Sequence, residues 1–79
     1  MGRTRRRHPK LLRRKLLKIR QRLEMSQTQM AKALGLEVHY SAVSNYELGT
    51  REPDLLTILK YAELAGVSTD VLIDDKRKL

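Results

Sequence analysis

Apolar positions in the first third of the chain recur with helical spacing. Leucine and isoleucine stand three or four residues apart between positions 10 and 23, at Leu12, Leu16, Ile19 and Leu23. This spacing places them on one face of an amphipathic helix. The residues before and including Pro9 show no such periodicity. The pattern therefore predicts a disordered arm over residues 1–9 and a first helix over residues 10–23.

A capping box marks the start of a second helix. In the SQTQ sequence of residues 26–29, the Ser26 hydroxyl is placed to accept from the Gln29 N–H, and the Gln29 side chain is placed to reach back to the Ser26 N–H. The next apolar residues face inward, and they are Met30, Ala31 and Leu34. Gly35 then permits the left-handed backbone that ends a helix.

Residues 40–48 predict a third helix with an uncharged polar face. At 100° per residue, one arc of this helix contains Tyr40, Ser41, Ser44, Asn45 and Leu48. The opposite arc contains Ala42, Val43, Tyr46 and Glu47, and Gly49 ends the helix. A solvated helix face more often carries Lys and Glu, whereas hydroxyl and amide groups without charge suit the reading of base edges.

Two further helices follow a loop over residues 50–53. Asp54 is the predicted N-cap of the fourth helix, which Gly66 ends. The predicted inner stripe of this helix is Leu55, Ile58, Leu59 and Ala62. Ser68 is the predicted cap of a short fifth helix that ends near Ile73. The pattern thus indicates an all-α domain over residues 10–75 and a charged tail over residues 76–79. We expect residues 74–79 to be frayed.

The charge of the chain is concentrated at its beginning. The formal net charge is +8, and the basic residues that precede the first acidic residue, Glu24, are Arg3, Arg5, Arg6, Arg7, Lys10, Arg13, Arg14, Lys15, Lys18, Arg20 and Arg22. Such a block favours a polyanionic partner, nucleic acid first and an anionic membrane surface second. The plainer alternative is a solvated tail.

Several function classes find no support in the sequence. The chain has no cysteine and two distant histidines, His8 and His39, so we expect no disulfide, no metal site and no cofactor. Neither a catalytic constellation nor a phosphate-binding glycine loop is present, and we do not expect an enzyme. Apolar runs are far shorter than the roughly 20 residues that span a bilayer. We therefore expect a cytoplasmic protein with no membrane partner.

The order of these motifs resembles the phage-repressor helix-turn-helix family, called Cro/C1 or XRE. The matching pieces lie between Leu16 and Ile73, and they are Ile19-Arg20, Ser26-Gln27, Met30-Ala31, Leu34-Gly35, Val43-Ser44, Glu47-x-Gly49, Pro53 and Leu64-Ala65-Gly66-Val67-Ser68. The resemblance implies a five-helix, lambda-repressor-like bundle that binds double-stranded DNA with its third helix in the major groove. It also implies a transcriptional regulator, which we expect to be a bacterial or phage-like repressor.

The chain departs from the family pattern between the second and third helices. Residues 36–39 form an enlarged turn, with Leu36 expected to pack into the core. The N-cap of the third helix is therefore either His39 or Ser41. In the second case Tyr40 belongs to the turn.

An ion pair between Arg20 and Glu47 is predicted by two routes. Glu47 lies on the inner arc of the third helix, where an acid needs a partner, and Arg20 is the cation nearest the apolar stripe of the first helix. The alternative is that both side chains snorkel at the rim of the core. The resemblance implies a partly buried salt bridge between these two positions.

The resemblance also implies roles in DNA binding. Asn45 is the main candidate for base reading, through a bidentate pair with adenine, and Ser41, Ser44 and Tyr40 are secondary candidates. Gln27, for which a capping role is the alternative, and Arg51 are expected to contact phosphates. The arginines expected to contact phosphates or an A·T-rich minor groove are Arg3, Arg5, Arg6 and Arg7.

Other kinds of partner stay open at this point. An antitoxin-like or adaptor module would use the same helices to bind a protein. An RNA-binding role is disfavoured, because the chain has three tyrosines but no Phe and no Trp to stack on bases. The resemblance implies a homodimer on a palindromic site, for which the chain offers the fifth helix and the tail.

Overall fold

The computed structural model of this chain describes residues 9–35 and 37–79. The described residues form five helices: α1 (Leu12–Arg22), α2 (Gln27–Leu34), α3 (Tyr40–Leu48), α4 (Leu55–Ala65) and α5 (Thr69–Ile73). The predicted all-α, five-helix architecture is confirmed. The arginines of the predicted arm and the expected packing of Leu36 lie outside the described residues.

Helix α1 packs its predicted stripe into the core. Leu12, Leu16 and Ile19 are buried, and Leu23 packs against them at the helix end. The helix begins without a side-chain cap from its own N-cap residue. The carboxylate of Asp75, near the C-terminus, instead accepts from the backbone N–H groups of residues 10 and 11 at 2.9 and 3.0 Å. These bonds hold the pKa of Asp75 below its usual range.

The junction from α2 to α3 follows the predicted local chemistry. Both bonds of the capping box are present at Ser26 and Gln29. Gly35 adopts a left-handed φ of 66° and ends α2, because a residue with a Cβ is strained there. Helix α3 then packs closely on α2 and on α1. This pairing presents one face of α3 to solvent.

The predicted inner stripe of α4 is wrong at two positions. Asp54 caps the helix as expected, and Ile58 and Ala62 are buried, but Leu55 is 83% exposed and Leu59 is 44% exposed. Thr57 and Tyr61 are buried in their place, so the inward face is rotated by roughly 80°, less than one residue step. Tyr61 reaches the core because its ring meets that of Tyr46 edge-on, with the centroids 6.5 Å apart.

The C-terminal end, which the sequence predicted to be frayed, packs on α1. Lys15 is 6% exposed, and its ammonium donates to the carbonyl oxygens of Val71, Asp74 and Arg77 at 2.7, 3.0 and 2.8 Å. Leu79 packs against the core. Ser68 occupies the N-cap position of α5 but its side chain makes no cap hydrogen bond. Contacts with α1 therefore hold this end where a side-chain cap was expected.

Candidate nucleic-acid interface

Helix α3 separates an apolar side from a polar side as its phase predicts. Ala42, Val43 and Tyr46 are buried. On the opposite side Tyr40, Ser41 and Leu48 are exposed, and Ser44 and Asn45 are half-buried. We call these five outward residues, Tyr40, Ser41, Ser44, Asn45 and Leu48, the α3 outer face. No charged side chain belongs to it.

The N-terminus of α3 settles the choice between the two candidate caps. His39 is the N-cap, and its Nδ1 accepts from the Ser41 backbone N–H at 3.2 Å. The His39 and Tyr40 rings lie against each other with their centroids 4.4 Å apart. Tyr40 is therefore the first helical residue and not part of the turn. It lies with Ser41 in the first turn, the part of a recognition helix that contacts bases.

The C-terminus of α3 brings an unexpected residue to Asn45. Gly49 adopts a left-handed φ of 80°, and the Thr50 N–H donates to the Asn45 carbonyl oxygen at 3.0 Å, the Schellman pattern of a helix end. This turn places the Thr50 hydroxyl 3.1 Å from Asn45 Oδ1, to which it donates. Thr50 thus orients the amide of the main candidate base reader. The Gly49-Thr50 sequence signals the turn, but not this side-chain contact.

The predicted ion pair of Arg20 and Glu47 is present. Arg20 Nε and Nη2 donate to the two carboxylate oxygens at 2.6 and 3.0 Å, and Nη1 donates to the Met25 carbonyl oxygen at 2.9 Å. The side chains are only 19% and 7% exposed, so they do not snorkel at the rim. The hydrogen bonds to Glu47 raise the pKa of Arg20. The pair joins α1 to the inner side of α3.

Gln27 faces this ion pair. Its Nε2 donates to Glu47 Oε1 at 3.1 Å, so its side chain is neither a second cap nor turned wholly outward. The amide has a second N–H, and a phosphate contact through that group stays a prediction. Glu47 therefore links the first residue of α2, the end of α1 and the inner side of α3.

The loop after α3 holds the remaining predicted phosphate contact. Arg51 is exposed in this loop. The loop ends at Asp54, whose carboxylate accepts from the Thr57 N–H at 2.9 Å. This bond is the main cause of a lowered pKa at Asp54, and the charge of Arg51 contributes to it. The cap thus fixes the end of the loop beside α3.

Residues 9–35 and 37–79 contain no group of three or more His, Cys, Asp or Glu side chains that is arranged to hold a metal ion. Their helices are all too short or too polar to cross a bilayer.

Known proteins match this chain in sequence. A family model described as helix-turn-helix matches residues 16–72. The SPbeta prophage-derived uncharacterized HTH-type transcriptional regulator YonR of Bacillus subtilis (strain 168) is 41% identical over 59 residues, which cover 75% of this chain and 53% of that protein. The uncharacterized HTH-type transcriptional regulator YqaE of the same organism is 38% identical over 58 residues, covering 73% and 48%. The chain spans about half the length of these curated relatives.

A solved structure matches the fold. The P22 c2 repressor protein, crystallised in complex with a synthetic operator, superposes with a TM-score of 0.74 at 24% identity, covering 84% of this chain and 97% of that chain. The lambda-repressor-like arrangement is therefore confirmed. Since the family model also spans most of the chain, the chain belongs to the helix-turn-helix family of the Cro/C1 (XRE) type, a family of DNA-binding transcriptional regulators and not of enzymes.

Proposed function

We propose that this protein is a sequence-specific regulator that represses transcription by binding double-stranded DNA, with α3 in the major groove and α2 across the backbone. The α3 outer face carries this proposal, because it offers hydroxyl and amide groups at a helix surface without charge. The opposite side of the helix is fixed to α1 by the Arg20–Glu47 pair. A reading surface held in this way loses little conformational freedom on binding.

Each predicted contact has a distinct role in the proposal. Asn45 reads a base pair, and the Thr50 hydroxyl holds its Oδ1 in place by donating a hydrogen bond to it. Ser41 and Tyr40 contact bases or phosphates from the first turn, and Ser44 contacts them from the second turn. Arg51 and Gln27 contact phosphates. Arg3, Arg5, Arg6 and Arg7 reach phosphates or the minor groove.

The relatives support the regulatory part of the proposal. Two are named HTH-type transcriptional regulators, and the matching structure is a repressor bound to an operator. We therefore propose repression by occupancy of an operator. A regulator of this kind acts where bacterial or phage DNA lies, so we also propose a cytoplasmic location.

The exposed side of α4 favours a homodimer through this helix. Leu55, Leu56 and Leu59 are 83%, 64% and 44% exposed. The charged neighbours Lys60 and Glu63 form an ion pair with each other at 3.8 Å. This apolar, nearly neutral side lets two chains of net charge +8 approach with little repulsion. We propose that two copies pack through α4 on a palindromic site.

The dimer is tested by sedimentation with and without a duplex. Leu55→Ser should shift the protein toward monomer, whereas Ile73→Ser, on the 44% exposed position of α5, should not. The opposite result would assign the interface to α5. A monomer that binds a different protein through the α4 leucines would favour the second candidate function, an antitoxin-like or adaptor module.

The reading and anchoring roles are separated by two variants. Asn45→Ala should cost about 1–3 kcal/mol on the preferred duplex and flatten the preference at one base pair. Arg51→Ala should weaken binding to all duplexes and lower the slope of log K against log salt by about one. Selection from a random duplex library supplies the preferred site, and titration at two salt concentrations makes the comparison. Full discrimination by Asn45→Ala would show that the α3 outer face is not the reading surface.

A further inference from the structure

A cleft lies between the start of α1 and the loop that follows α3. Its volume is about 580 Å³. The residues that matter for its charge and position are Lys10, Arg13, Leu48, Thr50, Arg51 and Glu52. Three of these side chains are cationic and one is acidic, so the cleft favours an anion. We call it the basic cleft.

The basic cleft continues the α3 outer face. Leu48 belongs to that face and also lines the cleft. Thr50 lines the cleft and donates to Asn45 Oδ1. A duplex read by Asn45 would therefore bring one of its sugar–phosphate strands to the cleft. Arg51, which was predicted to contact phosphate, lies on the wall of the same cleft.

Arg13 lies against the end of α3 at Gly49. A Cβ added at Gly49 would lie 2.7 Å from Arg13 Cδ and 3.5 Å from Arg13 Nε. The aliphatic part of Arg13 thus lies over the end of α3, where a Cβ at position 49 would displace it. Among the described residues the guanidinium of Arg13 forms no hydrogen bond or ion pair. Arg13 is exposed, and its charge is therefore available to a ligand.

We propose that the basic cleft binds the sugar–phosphate backbone of the duplex that α3 reads, with Arg13 as a phosphate-binding residue on α1 in addition to Arg51 on the loop. The proposal rests on the proposed function. A guanidinium matches phosphate in geometry and keeps its charge at every physiological pH. Contact with the end of α3 places Arg13 in the same cleft as Arg51. Lys10 contributes a third positive charge to the cleft.

A matched pair of variants tests the role of Arg13. Arg13→Gln and Arg14→Gln remove the same charge from neighbouring positions of α1, but Arg14 does not line the cleft. Arg13→Gln should lower the slope of log K against log salt by about 0.9, the value for one lost phosphate contact. Base discrimination should stay unchanged. Arg14→Gln should change the slope by much less, and circular dichroism checks that both variants are folded.

A third variant separates a local contact from general charge. Arg13→Lys keeps a positive charge in the cleft and should restore most of the salt slope with a several-fold lower affinity, because lysine cannot form the bidentate contact. Equal slopes for Arg13→Gln and Arg14→Gln would overturn the proposal. Failure of the unaltered protein to bind any duplex would instead overturn the proposed function.

Discussion

Two cations of α1 are withdrawn from water by different kinds of partner. Arg20 meets the carboxylate of Glu47 at 2.6 Å and joins α1 to α3. Lys15, five residues earlier, donates to three backbone carbonyl oxygens and joins α1 to α5 and the C-terminal residues. The first charge is neutralised by an opposite charge, and the second is solvated by peptide dipoles.

Because the partners differ, the two contacts should contribute differently to the stability of the fold. A buried ion pair is costly to break, because the partner left behind remains charged in a poor solvent. Carbonyl oxygens that lose a donor are dipoles, and at the edge of the fold some can turn to water. We therefore expect the α1–α3 contact to govern global stability. The α1–α5 contact should govern mainly the order of the C-terminal end.

The largest expected effect comes from Glu47→Ala. This variant leaves the Arg20 guanidinium and the Gln27 amide without their shared acceptor. Loss of one partner of a buried pair costs about 3–5 kcal/mol, measured as the free energy of unfolding in urea. Glu63→Ala, which breaks an exposed pair with Lys60, is the control, with an expected loss of about 0–1 kcal/mol. A loss of that size for Glu47→Ala would contradict a buried role.

Lys15→Met should have a smaller effect, and a more local one. Methionine keeps much of the volume but removes the donor to three carbonyl oxygens, at a cost of about 1–3 kcal/mol. Amide hydrogen exchange should accelerate over residues 71–79 more than in α2 and α3. Lys18→Met, at an exposed position of the same helix, should leave exchange unchanged. Uniform acceleration across all helices would show that Lys15 supports the whole core.

Tyr61→Phe, at the contact between α4 and α3, should stabilise the fold. The Tyr61 hydroxyl is buried and has no hydrogen-bond partner among residues 9–35 and 37–79, and burial raises its pKa. Removal of an unpaired buried polar group should gain up to about 1 kcal/mol. Thermal unfolding measures the change, with the exposed Tyr40→Phe as a neutral control. A clear loss of stability would show that this hydroxyl is paired in solution.

The smallest expected effect is a pH dependence of stability that arises from Asp75, near the C-terminus, at the start of α1. Asp75 accepts from the N–H groups that begin α1, and these bonds lower its pKa in the folded state. Its contribution to stability is therefore full above the unfolded pKa of about 3.9 and is lost as the pH falls through the lower folded value. Asp75→Asn should be less stable than the unaltered protein near neutral pH. The free energies of unfolding of the two proteins should begin to converge as the pH falls below about 4, and a constant difference would contradict this origin.

Local chemistry explains why the placement of most residues on α3 was predictable. The capping box at Ser26, the glycine that ends α3 and the helical phase of Glu47 each depend on neighbouring letters of the sequence. Asn45 was placed on the correct side of α3 for the same reason. The contact between Thr50 and Asn45 was missed, because it depends on the path of the chain after Gly49 and not on helical phase.

Helix α4 shows how such reasoning fails. Leu55 and Leu59 are more apolar than Thr57 and Tyr61, so hydropathy alone turned the wrong side of the helix inward. The helix is oriented by its neighbours, since the Tyr61 ring packs against Tyr46 of α3. The tyrosine ring fills the core at this position, and Leu55 and Leu59 are left on the side that faces solvent.

By itself the sequence determined that there are five helices, that glycines end α2, α3 and α4, which side of α3 is polar, and that Glu47 needs a cation. These features depend on caps, periodicity and charge, which are properties of the side chains. Only the tertiary structure decided that Lys15 binds the carbonyl oxygens of Val71 and Arg77, which lie 56 and 62 positions later in the chain. It also decided that Arg13 lies over Gly49 and lines the basic cleft. A backbone carbonyl is the same at every residue, so no letter of the sequence marks the one that a distant side chain will meet.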